Sequence, residues 1–139
     1  MTTCDVIALE RAALDRWGNG DPSAYLALFE ADVTYFDPAQ EHRVDGIEAM
    51  RALFGPITGR IRVDRYDMID PAVQQNADVA VLTFNLVSYR TDDGVERPIS
   101  QWNATEAYRR TAQGWRIFHS HWSFVTPATN AADFPEIAG

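Results

Sequence analysis

Residues 97–124, RPISQWNATEAYRRTAQGWRIFHSHWSF, constrain this chain more than any other stretch. Two runs rich in aromatic and β-branched residues meet at Ala112-Gln113-Gly114, the pattern of a β-hairpin. Successive side chains of a strand point to opposite faces. The second run therefore separates Trp115, Ile117, His119, His121 and Ser123 from Arg116, Phe118, Ser120, Trp122 and Phe124. In the first run Trp102, Ala104, Glu106 and Tyr108 make the more apolar face, with Asn103 and Thr105 opposite. Pairing apolar with apolar predicts that Phe118, Trp122 and Phe124 join Trp102 inside. His119 and His121 then point out.

The segments before the hairpin read in order. Val6, Leu9, Ala13 and Trp17 fall at helical spacing, predicting a helix over residues 5–17 that Gly18-Asn19-Gly20 stops. Asp21-Pro22 starts a second helix, with Tyr25, Leu28 and Phe29 as its apolar face. Residues 33–37 read as a short strand ended by Pro38, with Val33, Tyr35 and Asp37 on one face. Asp45 and Glu48 have the spacing of a capping box for a third helix, which buries Ile47, Met50, Leu53, Phe54 and Ile57. Residues 61–72 and 77–91 are strand-like, with a bulge or edge position expected at Asp70-Pro71 and a turn at Asp92-Asp93-Gly94. Residues 127–139 show no sustained periodicity. Helices first and long antiparallel strands later is the α+β order, a sheet with its helices gathered on one face.

Composition excludes several partner classes. At 139 residues, 46% hydrophobic and 23% charged, the chain is a single globular domain over residues 1–139. A net charge of -8 argues against nucleic acid and anionic membranes, both of which require a basic footprint. The single cysteine, Cys4, rules out an internal disulfide framework. The opening residues lack the basic start of a signal peptide and no apolar run has membrane-spanning length, so a cytoplasmic location is expected. With no Gly-rich phosphate loop and no serine nucleophile elbow, neither a nucleotide-dependent nor a hydrolase reading has support, and no cofactor is expected.

Gln101-Trp102-Asn103-Ala104-Thr105-Glu106 and Gly114-Trp115-Arg116-Ile117-Phe118-His119-Ser120-His121 resemble the SnoaL-like branch of the nuclear transport factor 2-like superfamily. That branch is related to the association (hub) domain of calcium/calmodulin-dependent kinase II. The likeness is tightest over residues 78–123, and the order of elements extends it over nearly the whole chain. It implies a cone-shaped curved antiparallel β-sheet with three N-terminal helices packed on its concave face, enclosing a pocket. Members include isomerases, cyclases, dehydratases and assembly domains, so the fold does not settle the activity. The hub's inward arginines match Asn85, Glu106 and Trp122, so its carboxylate binding does not carry over at those positions. The resemblance sends Val81, Thr83, Asn85 and Val87 inward, although Leu82, Phe84 and Leu86 are the greasier face. Both hold if the outer sheet face is buried in a homodimer through Leu82, Phe84, Leu86, Asn103, Thr105, His119 and His121.

Two carboxyls are candidates for acid–base chemistry. Glu106 stands on an apolar strand face, where burial raises a carboxyl's pKa toward that of a neutral-pH proton shuttle. A structural ion pair with Arg109 or Arg116 is the other reading of that residue. Asp37 follows Tyr35 on a strand whose end should lie near the pocket mouth, and ketosteroid isomerase-like relatives use an aspartate base with tyrosine or protonated-acid donors; an ordinary strand-ending turn residue is the favoured reading of Asp37-Pro38. Trp17, Tyr25, Phe54, Asn85, Trp102, Phe118 and Trp122 are expected to line the pocket for a small apolar or aromatic ligand. His119 and His121 share a face, but no third ligand is visible at useful spacing, so a metal is not expected. These residues imply a cofactor-independent isomerase or lyase, or alternatively a non-catalytic assembly or ligand-sensing domain. An open pocket with at least two polar groups favours the first, and a pocket filled by Trp102, Trp122 and Phe54 the second.

Overall fold

The computed structural model describes residues 3–125, with side chains from Asp5 onward; Cys4's side chain and residues 127–139 lie outside the described residues. Helix α1, Thr3–Gly18, has Asp5 in its first turn and Arg16 in its last, matching the helix dipole. Its buried side chains are Val6, Glu10, Ala13 and Leu14, with Trp17 half-buried, so the inward stripe contains a carboxyl. Helix α2, Ser23–Leu28, follows after a tight corner in which Asp21 Oδ1 accepts the Ser23 N–H at 3.0 Å. Strand β1, Phe29–Phe36, begins at once, so Phe29 opens a strand instead of closing a helix face.

A two-residue strand β2, Val44–Asp45, pairs with β1 and leads into helix α3, Ile47–Phe54. The capping-box expectation fails here. Gly46, at φ 88°, is the cap, Asp45 is bound by Arg43, and Glu48 by Arg51. A 3-10 turn, Gly55–Ile57, ends this segment. The long strands are β3, Arg65–Asn76; β4, Val79–Asp92; β5, Val95–Thr111; and β6, Gly114–Phe124. The expected irregularity at Asp70-Pro71 is a register shift between Ile69 and Ala72, with Asp70 at φ 50°.

The six strands form one curled, unclosed sheet in the order β2-β1-β6-β5-β4-β3. Every neighbouring pair is antiparallel except β1 and β6. The α+β fold is as expected. The helices cover one sheet face, where Val6, Leu14, Tyr25 and Leu28 pack with Leu82, Phe84, Leu86, Tyr108, Trp115 and Ile117.

Two expectations about strand faces are corrected. In β4, Ala80, Leu82, Phe84, Leu86 and Ser88 are buried under the helices, while Asn85 is exposed on the outer face. Burial of apolar area decided that parity, so Leu82, Phe84 and Leu86 cannot form an outer dimer surface. In β6 the alternation breaks. Ala107 pairs with His119 but Tyr108 pairs with Ile117, leaving Phe118 as the extra residue of a bulge. The inward set is therefore Trp115, Ile117, Ser120 and Trp122, and Phe118 lies outside under the Arg109 guanidinium at 4.4 Å.

The corner between α1 and α2 is tied to the segment after α3. Val63 N donates to Gly18 O at 3.0 Å and Gly59 N to Gly20 O at 2.8 Å. A Cβ on Gly18 would stand 2.7 Å from the Val63 carbonyl oxygen, whereas one on Gly55 would meet nothing within 4 Å. Gly18→Ala should cost about 1–3 kcal/mol of stability through that backbone clash. Calorimetry should show its thermal midpoint several degrees down while Gly55→Ala stays near the unaltered protein, and equal midpoints would refute the close approach.

Candidate functional site

Between helices and sheet lies a cavity of about 410 Å³. Its wall includes Trp17, Tyr25 and Phe54 from the helical side, Tyr35 and Asp37 from β1 and its end, and Trp102 and Trp122 from the sheet. Thus five of the seven expected lining residues come together. Asn85 and Phe118 do not, for the reasons of strand parity and bulge given above. Asn85 instead donates from Nδ2 to Asn103 Oδ1 at 2.7 Å on the outer face.

The aromatic wall is held by its own polar atoms. Trp102 Nε1 donates to Ser100 Oγ and Trp122 Nε1 to Ser120 Oγ, each at 2.9 Å and each two residues back on the same strand. The two indoles meet edge to face at 5.9 Å. With both N–H groups satisfied, they offer carbon surface to the cavity.

Behind this wall sit two carboxyls, Glu10 of α1 and Glu106 of β5, each 0% exposed. Tyr25 Oη donates to Glu10 Oε2 at 2.5 Å and Tyr108 Oη to Glu10 Oε1 at 2.6 Å. Ser120 Oγ donates to Glu106 Oε1. Glu106 Oε2 has no conventional donor. The Glu10 carboxyl is its acidic neighbour, and two carboxyls sharing a dry site disfavour the doubly ionised state. Burial pushes Glu10 up to about 7, against the pull of the two tyrosine hydroxyls. Burial, and then the charge of Glu10, raise Glu106 well above the ordinary carboxyl range.

This geometry removes one reading of Glu106. Arg109 is engaged by Glu30 at 3.0 Å and Asp32 at 3.5 Å, and Arg116 donates to the Trp115 carbonyl. Neither meets Glu106. The carboxyl neighbour of Glu106 is Glu10, which the sequence reading did not single out. Its signal was present: Val6, Glu10, Ala13 and Trp17 form an unbroken helical stripe, and a carboxyl in such a stripe must find a partner.

Asp37 reaches the cavity directly. Tyr35 Oη donates to Asp37 Oδ2 at 2.8 Å, and Ala39 N to Oδ1 at 2.7 Å. Burial, and then the Asp37 charge, hold the Tyr35 phenol well above its usual pKa. The paired histidines lie on the opposite sheet face, where His119 Nδ1 shares a 2.8 Å hydrogen bond with Thr34 Oγ1. Burial and the neighbouring His121 lower His119 from its ordinary value. No group of three or more His, Cys, Asp or Glu that could hold a metal ion occurs among the described residues. No helix among them is long and apolar enough to cross a membrane.

The family description SnoaL-like domain matches residues 6–127. The chain belongs to the SnoaL-like family. Its structure is similar to that of a candidate ketosteroid isomerase from Parabacteroides distasonis, at 40% identity and a TM-score of 0.77, covering 89% of this chain and 88% of the other. It is also similar to the S. rosetta CaMKII hub, at 24% identity and a TM-score of 0.69, covering 86% and 94%. An NTF2-like protein of unknown function from Pseudomonas putida matches at 21% identity and a TM-score of 0.73, covering 88% of each chain. The last two likenesses concern the fold alone. No match was found among curated proteins.

The carboxyl pair of this SnoaL-like chain makes its stability pH-dependent in a definite direction. Unfolded glutamates release their protons near 4.5, while in the folded state burial raises Glu10 to about 7 and holds Glu106 well above its ordinary range. The folded state binds more protons above the unfolded value, so stability should fall as pH rises from about 5 through about 7. The surface carboxylates held low by arginines, Asp64, Asp92 and Glu96 among them, act below that range. Glu106→Gln should flatten the decline in thermal midpoint across that range; identical slopes for the two proteins would show that the pair holds no extra proton.

Proposed function

We propose that this SnoaL-like protein binds a small hydrophobic molecule in the cavity and catalyses a cofactor-independent proton transfer on it, as an isomerase or lyase. The observation that carries this reading is an open cavity with Asp37 on its wall and the buried Glu10–Glu106 pair one hydroxyl behind it. Trp102, Trp122 and Phe54 form walls and leave the space between them free, which favours a ligand site over an assembly domain filled with side chains. In this reading Asp37 removes a proton next to a carbonyl. Its Ala39 N–H and Tyr35 Oη contacts hold the carboxylate in place.

Glu106 acts through Ser120, which lines the cavity. When Glu106 donates its proton to Ser120 Oγ, the serine hydroxyl turns to the cavity and donates to the developing oxyanion. Tyr25, which also lines the cavity, makes the same kind of link from Glu10. Likeness to the Parabacteroides distasonis protein supports isomerisation of an unsaturated ketone as the first reaction to test.

A bicyclic β,γ-unsaturated ketone incubated with the protein in D₂O should convert to its conjugated isomer, followed by NMR. Asp37→Asn and Glu106→Gln should each slow it by roughly 10²–10⁴-fold, the usual range for a lost general acid or base. Full rates in both variants would end the acid–base reading. Binding of the ketone without turnover would support the ligand-sensing alternative.

A homodimer through the outer sheet face remains a proposal, now with Asn103, Thr105, His119 and His121 and without the buried β4 residues. Phe36, 37% exposed, supports it by packing its ring at 5.0 Å from His121 and 5.8 Å from His119 on that face. Light scattering at micromolar concentration should give twice the chain mass, and Phe36→Asp should return it to one; a monomeric unaltered protein would rule the dimer out.

A further inference from the structure

The mouth of the cavity is electrically lopsided. The C-terminal ends of β1, β6 and β4 lie together there, because β1 runs parallel to β6 and β6 and β4 both run antiparallel to β5. Asp37 follows β1 on one side, and Arg90 stands near the end of β4 on the other. Strands β6 and β5 intervene, so at about 4.8 Å per strand the two charges are separated by roughly 14 Å around the sheet. Trp122 and Trp102 fill the interval.

Arg90 differs from Arg62, Arg65 and Arg97 in holding no carboxylate by a hydrogen bond, although its charge is felt by Asp64. Its Nε donates to the Arg62 carbonyl at 3.0 Å, and among the described residues no carboxylate is hydrogen-bonded to its guanidinium. The acidic side chains nearby are already engaged. Arg62 holds Asp64 and Asp92, each at 2.9 Å, and also donates to the Thr91 carbonyl. Arg97 reaches Asp92 at 3.5 Å. Arg62 and Arg97 thus occupy Asp64 and Asp92, and Arg65 occupies Asp67 and Glu96.

Two hydroxyls complete the corner. Ser88 and Ser100 are direct partners in the β4–β5 ladder and both line the cavity. Ser100 Oγ accepts from the Trp102 indole, which leaves its own O–H to donate. Ser88, 4% exposed, presents its hydroxyl on the same stretch of cavity wall.

We propose that this corner binds the anionic head of the ligand. The substrate class is an apolar or aromatic acid whose carboxylate pairs with Arg90 and accepts from Ser88 and Ser100, its ring system lying against Trp102 and Trp122. Asp37 repels the same carboxylate from the far side, so the molecule enters in one orientation. This assignment rests on the reading of the cavity as a ligand site, and it adds to that reading the charge and direction of the occupant.

The test uses 2-naphthoate and its neutral counterpart 2-naphthamide on the full chain, with affinities from calorimetry at low salt. A charge-assisted hydrogen bond makes the acid the tighter ligand by about tenfold or more. Arg90→Gln should bring the acid-to-amide ratio to about one, and Arg90→Lys should retain part of it. Should Arg90→Gln not fold, the ratio in the unaltered protein must collapse as salt rises from about 20 to about 500 mM. Equal affinities for acid and amide in the unaltered protein overturn the role of Arg90 and leave the cavity reading standing. A preference for the acid that survives Arg90→Gln or high salt also overturns it. If neither naphthalene binds, both the assignment and the cavity reading fall together.

Discussion

The fold is organised around a demand that apolar packing alone does not make: two carboxyls placed out of water must be met by named partners. Glu10 and Glu106 draw those partners from four elements, Tyr25 of α2, Tyr108 and Glu106 itself of β5, Ser120 of β6, and Glu10 of α1. Side chains such as Val6 and Leu82 tolerate a helix sliding by an ångström. Tyrosine hydroxyls at 2.5 and 2.6 Å from a carboxylate do not, since hydrogen-bond strength falls steeply with misalignment. The polar cluster therefore sets where α1 and α2 lie over the sheet, and so the width of the cavity beside it. Raising the pKa of each acid lets the pair carry fewer than two charges, which lessens the desolvation cost of burying it.

The second structural constraint lies at the cavity's edge. The clasp of Gly18 and Gly20 against the segment 59–63 brings Ile61, Arg62 and Val63 onto the rim, where all three line the cavity. Arg62 then reaches across to Asp92 at the end of β4, joining the helical layer to the far side of the sheet. Rim and floor thus depend on different physics: a backbone close approach and surface ion pairs at one end, buried hydrogen bonds at the other.

Much of this was legible in the sequence, and the failures have specific physical causes. The inward face of β5 could be read correctly because its alternation is unbroken from Trp102 to Tyr108. In β6 the same rule failed at Phe118, because a bulge is set by pairing with the neighbouring strand and leaves no mark on one strand's own pattern. For β4, hydrophobicity and family resemblance disagreed over Asn85 and Leu86, and the local apolar pattern was the better guide. Glu10 was visible as a carboxyl in an apolar stripe. Its meaning depended on Tyr108 and Glu106, roughly a hundred residues away, which no local pattern could supply. Arg90 was likewise unreadable, since what distinguishes it is that its neighbours' acids are already taken.

The repeated serine–tryptophan arrangement on β5 and β6 has a consequence for how any occupant is recognised. Each indole is fixed by a bond to the serine two residues before it, and the two rings brace each other edge to face. Such side chains have few rotamers left to lose when something lands on them, so the entropy normally surrendered by a binding surface is already spent during folding. The same stiffness removes adaptability. A wall of this kind sorts molecules by outline, admitting flat ones that match the gap and turning away branched ones of equal hydrophobicity that a softer, methionine-lined surface would accommodate.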